Sequence, residues 1–301
     1  MVSGMRRRAA GTACGLLLDR ALGEPPARVH PVAWFGSVMG VVERQIYATN
    51  RAAGVQYTTL GVAIGCAAGL VLPTSVMVAT AVAGRELRRV ADDILGALRS
   101  DDLDRARELV PSLVGRDPSS LDASGLAAAV IESLAENSVD AVVAPAWWAL
   151  LGGGTGAAAY RAVNTMDSMV GHRSERYEQF GWASARLDDG ANFVPARLTA
   201  ALLAFVRPGR AVAIRRAIRE HAVEHPSPNA GVAEAAFAAT LGIELGGPLR
   251  YGARFEDRPR LGWGPRPQPE DIARAITLAS HLELALVGAL FAVSICRRRH
   301  K

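Results

Sequence analysis

Carboxylates and carboxamides gather in one stretch of the chain, Glu132 to Asn192, which reads ESLAENSVDAVVAPAWWALLGGGTGAAAYRAVNTMDSMVGHRSERYEQFGWASARLDDGAN. Glu132, Glu136 and Asp140 fall at i, i+4 and i+8, so an unbroken α-helix projects all three from one face, with Asn137 beside them. Asn164 and Asp167 stand three apart, and Asp188 or Asp189 stands four or three before Asn192, again on shared helical faces. Like charges ranged along an apolar segment need a cation to be tolerable. Oxygen donors without a Cys or His quartet suit Mg²⁺ rather than zinc, and Mg²⁺ generally completes its shell with phosphate. Between the second and third clusters lie His172, Arg173, Glu175, Arg176 and Tyr177. Guanidinium groups grip phosphate through paired donors, so the stretch points to a phosphorylated, Mg²⁺-bound substrate.

Other chemistries are excluded by what the chain lacks. Its only lysine is Lys301, so there is no Walker A loop, and any nucleotide phosphate must be held by arginine, metal or backbone amides. There is no GxSxG elbow and no HExxH pair, which argues against covalent hydrolase or zinc protease chemistry. Cys14, Cys66 and Cys296 are isolated in apolar surroundings and read as buried, inert thiols. The net charge of +5 lacks the aromatic-interleaved basic patch that nucleic-acid binding uses, and basic residues flanking apolar spans explain it.

The elements that must position these residues are helices. Half of the 301 residues are hydrophobic and mean hydropathy is +0.15, the composition of a membrane protein with aqueous loops. Arg6 to Arg8 precede a mildly apolar run, Ala9 to Leu18, which Asp19 and Arg20 interrupt; it reads as a short helix retained in the mature protein. Next come Glu24-Pro25 and His30-Pro31, which force an ordered loop that could bring Asp19, Glu24 or His30 into a site. Ala52 to Gly84 is uncharged and too long for one crossing of a core about 30 Å thick. Pro73 divides it into a hairpin whose first helix ends near Leu72, and Gly61, Gly65 and Gly69 form GxxxG steps for close helix packing. Asp122 caps a helix through Glu132 and Asp140; Val139 to Val163 is apolar and glycine-broken, either spanning or re-entrant. Phe193 to Val206 carries a lone Arg197, which should face the interior or snorkel, and Ile276 to Cys296 is the last clear span, with His281 and Glu283 near its start. The expected fold is therefore all-α: a polytopic integral membrane helical protein of the cell membrane, one domain over residues 1–301. Its sizeable helical aqueous loops fall at about 85–138, 164–192 and 207–275.

The text ESLAENSVDAVVAPAWWALLGG, YRAVNTMDSMVGHRSERYEQFGWASARLDD, PARLTA and HPSPNAGVAEAAFAATLGIELGG, with the N-terminal LLLDRALGEPP and HPVAWFG, closely resembles the CobD/CbiB family of cobalamin biosynthesis, the adenosylcobinamide-phosphate synthases. The resemblance covers nearly the whole chain, with a short N-terminal apolar run and Ala253-Arg254 after Tyr251-Gly252 as its departures. It implies an integral membrane ligase that joins adenosylcobyric acid to (R)-1-amino-2-propanol, or its O-phosphate, with ATP and Mg²⁺. It also implies contact with other late corrin-pathway membrane enzymes. By motif position and chemical type, the catalytic roles pass to Glu132, Glu136 and Asp167, and metal binding to Asp140, Asp188 and Asp189. Substrate binding passes to His30, Asn137, Asn164, Arg173, Arg176 and Asn229. Two other readings compete: a Mg²⁺-dependent polyprenyl-type transferase, since Asn164-x-x-Asp167 and Asp188-Asp189 are similar to its acidic helical motifs, and a non-enzymatic corrinoid transporter or scaffold.

Overall fold

The structure, a computed structural model, describes residues 2–114, 117–172, 174–251 and 254–296. Arg173, Gly252, Ala253 and the basic C-terminal residues 297–301 lie outside them. Packing divides the chain into two compact units, the first built from residues 1–83, 140–192 and 286–301, the second from 84–139 and 193–285.

The first unit contains α1 (Val2–Leu22), α2 (Pro31–Ile46), α3 (Arg51–Ala68), α4 (Thr74–Ala81) and α8 (Ala144–Val170), together with the start of α9 (Trp182–Val206). Pro73 does divide the long uncharged run, but the first helix stops at Ala68, and α4 has only 8 residues, too short to cross a bilayer core. The glycine stripe on α3 is a packing surface, as its spacing predicts. A Cβ at Gly65 would stand 2.7 Å from Ala162 Cβ on α8, and one at Gly69 would stand 2.4 Å from Thr155 Cα. Met39, Tyr57, Met166, Val170 and Phe180 form the adjoining core. In α8 the break falls at Gly153, whose φ of 66° and ψ of −148° are accessible only to glycine without strain.

In the second unit, α5 (Gly84–Arg99), α6 (Leu103–Leu109), α7 (Ala123–Ser138), α10 (Ala211–Glu220) and α11 (Ala230–Leu241) pack together with most of α12 (Pro269–Ile295). Asp122 caps α7 as expected, accepting from Gly125 N at 2.8 Å. On α5, Leu87, Ala91, Ile94, Leu95 and Leu98 turn inward while Arg89 pairs with Glu86 and Asp93 on the outer face. Every residue of α11 is buried, which its sequence AGVAEAAFAATL permits because alanines let neighbouring helices close in. Glu283, buried in the apolar α12, is neutralised by Arg88 from α5.

One feature departs from the all-helical expectation: β1 (Leu245–Tyr251) pairs antiparallel with β2 (Arg254–Leu261). A bulge at Gly246/Gly247 shifts the register, and both glycines have positive φ. The cysteine expectation is also corrected. Cys14 and Cys296 are exposed and Cys66 is half-buried: Cys14 and Cys66 sit on outward faces of α1 and α3, and Cys296 follows the last residue of α12. Among the described residues one helix, α12, is long and apolar enough to cross a membrane. The glycine break in α8 and the charges in α9 keep those two 27- and 25-residue helices from matching it.

Candidate functional site

In the first unit a polar network forms where three segments meet. The turn between α7 and α8 is a π-helix, Val139–Val143, and it carries Asp140. A π turn widens the helix and releases carbonyls from the α pattern. Two outside donors meet them: Ala83 N reaches Ala141 O at 3.0 Å, and the Tyr160 hydroxyl reaches Asp140 O at 3.3 Å. The Asp140 carboxylate accepts from Asn164 Nδ2 on α8 at 3.3 Å, and the same nitrogen donates to Asp188 Oδ1 on α9 at 3.4 Å. Asp188 Oδ2 accepts from Asn192 Nδ2 at 2.9 Å, and Asn192 Oδ1 accepts from the Tyr160 hydroxyl at 2.8 Å, which closes the ring. Arg161 fixes the orientation of the central amide. Its Nη1 donates to Asn164 Oδ1 at 3.2 Å, so the Asn164 NH₂ must face the two carboxylates. Asn164, Asp188, Asn192 and Tyr160 are all buried.

Asp140, Asn164 and Asp188, one from each of the three polar clusters, are thus brought together. Asn192 joins them, and Tyr160 and Arg161 are the members that sequence reasoning missed. The signal for both was present: they precede Asn164 by four and three residues, and Arg161 is the lone cation of an apolar run. Asp167 lies one turn beyond Asn164, its carboxylate folded against Gly171, where a Cβ would stand 1.8 Å from Oδ1. Asp189 is half-buried on α9 outside the ring; burial raises its carboxyl pKa against the pull of Arg186.

His30 caps α2. Its Nδ1 accepts from Val32 N at 3.2 Å, which leaves the proton on Nε2, 3.5 Å from Glu24 Oε2. Burial, and next the charge of Arg161, hold its pKa below the ordinary histidine range; Glu24, itself partly exposed, does not reverse this. Arg176 is stacked 4.3 Å over the Tyr47 ring and bonded to Glu43 Oε1 at 2.9 Å, an atom that also accepts from the Tyr177 hydroxyl at 2.8 Å. Arg173 lies outside the described residues.

The remaining predicted residues belong to the second unit. The i, i+4, i+8 stripe presumed unbroken α turns, and the π turn interrupts it before Asp140. Glu132 is buried and accepts from Gly246 N at 2.8 Å, pinning the bulge of the hairpin, while Glu136 is exposed. Asn137 donates to Ser133 O and Oγ on its own helix at 3.0 and 3.1 Å. Asn229 Oδ1 accepts from Arg197 Nη1 at 2.9 Å, so the lone arginine of the Phe193 run does face protein. Ser227 Oγ takes over the start of α11, accepting from Asn229 N and Ala230 N at 3.3 and 3.2 Å. Nearby, buried His225 Nε2 and Glu234 Oε1 stand 3.8 Å apart.

Among the described residues no group of three or more His, Cys, Asp or Glu gathers for a metal ion. The two carboxylates that converge, Asp140 and Asp188, match the one or two that Mg²⁺ usually takes from protein when phosphate and water supply the rest. The donor set therefore fits Mg²⁺ and does not fit zinc.

Comparison with known proteins agrees with the motifs. A profile of the CobD/Cbib protein family matches residues 12–279. The cobalamin biosynthesis protein CobD of Mycobacterium tuberculosis is 43% identical over 306 residues, covering 97% of this chain and 97% of its own length. The proteins of that name from Rhodobacter capsulatus and Chromobacterium violaceum are 41% identical over 303 and 306 residues, covering 92% of this chain and 96% and 97% of their own. No solved structure matches. On a match of this extent, the chain belongs to the CobD/CbiB family.

Proposed function

We propose that this protein is the amide synthase of late cobalamin biosynthesis, joining a propionate of adenosylcobyric acid to (R)-1-amino-2-propanol or its O-phosphate at the expense of ATP. The observation that carries the reading is the closed Asp140, Asn164, Asp188, Asn192 and Tyr160 ring, built from the stretch in which the family motifs are densest. Amide formation from a carboxylate requires activation. The propionate oxygen attacks the γ-phosphorus of ATP, ADP leaves, and the resulting acyl phosphate is attacked by the free amine with loss of phosphate. Asp140 and Asp188 would hold Mg²⁺, which when bound neutralises charge on the phosphates. Asn164, clamped by Arg161, orients substrate between them. Asp167, one turn along, is the base that takes the ammonium proton; Glu132 is committed to Gly246 N. Arg173 and Arg176 serve the phosphates.

The same reading makes the protein a multi-pass membrane enzyme, working beside other enzymes of its pathway at the bilayer. The apolar α12 and the outward Leu18, Val41, Val55, Leu60, Leu70 and Val71 of the first unit support this. The polyprenyl-type alternative would need Asp-rich motifs facing one another, and here α8 gives the ring Tyr160 and Asn164 while α9 gives it Asn192 and one carboxylate, Asp188. The test is to give the purified protein ATP, Mg²⁺, adenosylcobyric acid and aminopropanol phosphate. A product of amide mass is expected, with ATP consumed only when both substrates are present; its absence with verified substrates sinks the reading.

A further inference from the structure

The second unit holds a cleft of about 300 Å³ where the end of α9, the end of α11 and the first half of α12 meet. Arg207, Thr240, Arg274 and Thr277 line it. The size is that of a small ligand-binding pocket rather than a packing defect. Its charge is one-sided. Arg274 pairs with Asp271 and donates to Leu241 O at the α11 C-terminus, so it is accounted for as a helix cap. Arg207 is different: it is exposed, it has no carboxylate partner among the described residues, and it bonds only to Val206 O and His281 Nδ1, both at 3.3 Å. The Arg207 guanidinium, directed at the His281 ring beside a second guanidinium that Asp271 pairs, is the one charge of the cleft lining that no carboxylate among the described residues meets. The hydroxyls of Thr240 and Thr277 donate back along their own helices to Ala236 O and Ala273 O, at 2.6 and 2.9 Å, and both can turn toward a ligand at the cost of one local bond.

We propose that this cleft binds a phosphate group, with Arg207 and Arg274 as its paired-donor clamp. Guanidinium forks match phosphate oxygens geometrically, and an anion would offset the charge that Arg207 leaves. The cleft shares no residue with the carboxylate ring, and the proposal does not depend on the synthase reading. A free phosphorylated molecule and a lipid headgroup present the same chemistry, so the experiment separates them.

The full chain in detergent, in phosphate-free buffer, is titrated with pyrophosphate and followed by calorimetry, and in parallel is offered vesicles of phosphatidylglycerol or of phosphatidylcholine. Arg207→Gln should weaken pyrophosphate binding by at least about tenfold, as loss of a charge-assisted pair implies, while Arg105→Gln on exposed α6 changes nothing. If pyrophosphate is ignored but phosphatidylglycerol is preferred over phosphatidylcholine and R207Q abolishes the preference, the ligand is a lipid headgroup and the site stands. Arg207→Lys, which keeps charge but not the fork, guards against a folding defect and should retain part of the binding. Wild type that discriminates neither probe, or R207Q and R207K that bind as wild type does, overturns the proposal.

Discussion

The buried acids of the second unit and the carboxylate ring of the first are held in different ways. In the second, the buried carboxylates Glu132, Glu234 and Glu283 meet the Gly246 N–H, His225 and Arg88. Such pairs tie elements together, and the unit's remaining charges sit outside as helix-face pairs such as Arg89 with Glu86 and Asp93. In the first unit, Asp140 and Asp188 share a single amide at 3.3 and 3.4 Å, longer than a tight hydrogen bond. A carboxylate held by a backbone N–H is spent on the fold, whereas two carboxylates that converge on one side-chain amide, with Asn192 Nδ2 holding Asp188 from the other side, are placed to share a cation. Burial alone does not mark a working acid; convergence with a second carboxylate does.

The largest expected effect follows from that contrast. Asp188→Asn keeps the shape of the ring but removes one of its two charges, and it should lower turnover by about a thousandfold, within the range for loss of an essential charged group. Its folded yield should stay near wild type, since the amide oxygen can still accept from Asn192 Nδ2 and only the longer bond to Asn164 is lost. Near-normal turnover by mass-detected amide product would return Asp188 to the class of structural acids. Asp167→Asn tests the base assignment in the same assay: turnover is expected to vanish with folding intact, and normal activity would remove Asp167 from the site.

A stability effect comes next and belongs to the other unit. Phe237 on α11 is fully buried among alanines that cannot move in to fill its place. Phe237→Ala should cost about 3–5 kcal/mol through lost burial and the cavity left behind. Activity per folded molecule should be unchanged. A thermal melt that shifts little would mean that the second unit is less tightly packed than its buried helix implies.

How far the sequence foretold this contrast can be traced residue by residue. Spacing found the Asn164 and Asp188 faces because i+3 and i+4 relations survive in any α-helix. It misjudged the Glu132, Glu136, Asp140 stripe, since a π turn leaves no mark in the apolar pattern of Val139–Val143. The GxxxG stripe of α3 and the break in α8 were legible because glycine has few other reasons to recur there. The hairpin at Leu245–Leu261 was not. Its arginines and prolines hide any alternation, and Gly246-Gly247-Pro248 reads equally well as a loop. His30 was a site candidate because the prolines beside it order the loop that carries it; in the structure that order makes it the N-cap of α2.

That reassignment yields the smallest predicted effect, a pH dependence. His30 caps α2 through an unprotonated Nδ1, and burial with Arg161 holds its folded pKa below the ordinary value of 6.5. In the unfolded chain the imidazole binds its proton first as pH falls, so the stabilisation is present above 6.5 and is lost progressively below it, down to the folded pKa. The melting midpoint should therefore drop between about pH 7 and pH 5 more in wild type than in His30→Asn, whose amide oxygen can cap α2 without titrating. The extra drop should be smaller than the shift caused by Phe237→Ala, because one partly solvated ring is at stake rather than a core side chain. Parallel pH profiles for the two proteins would show that His30 does not titrate as the cap requires. A loss of turnover in His30→Asn with an unchanged melt would move the residue back into substrate binding, and with it the boundary between the spent and the poised groups of the first unit.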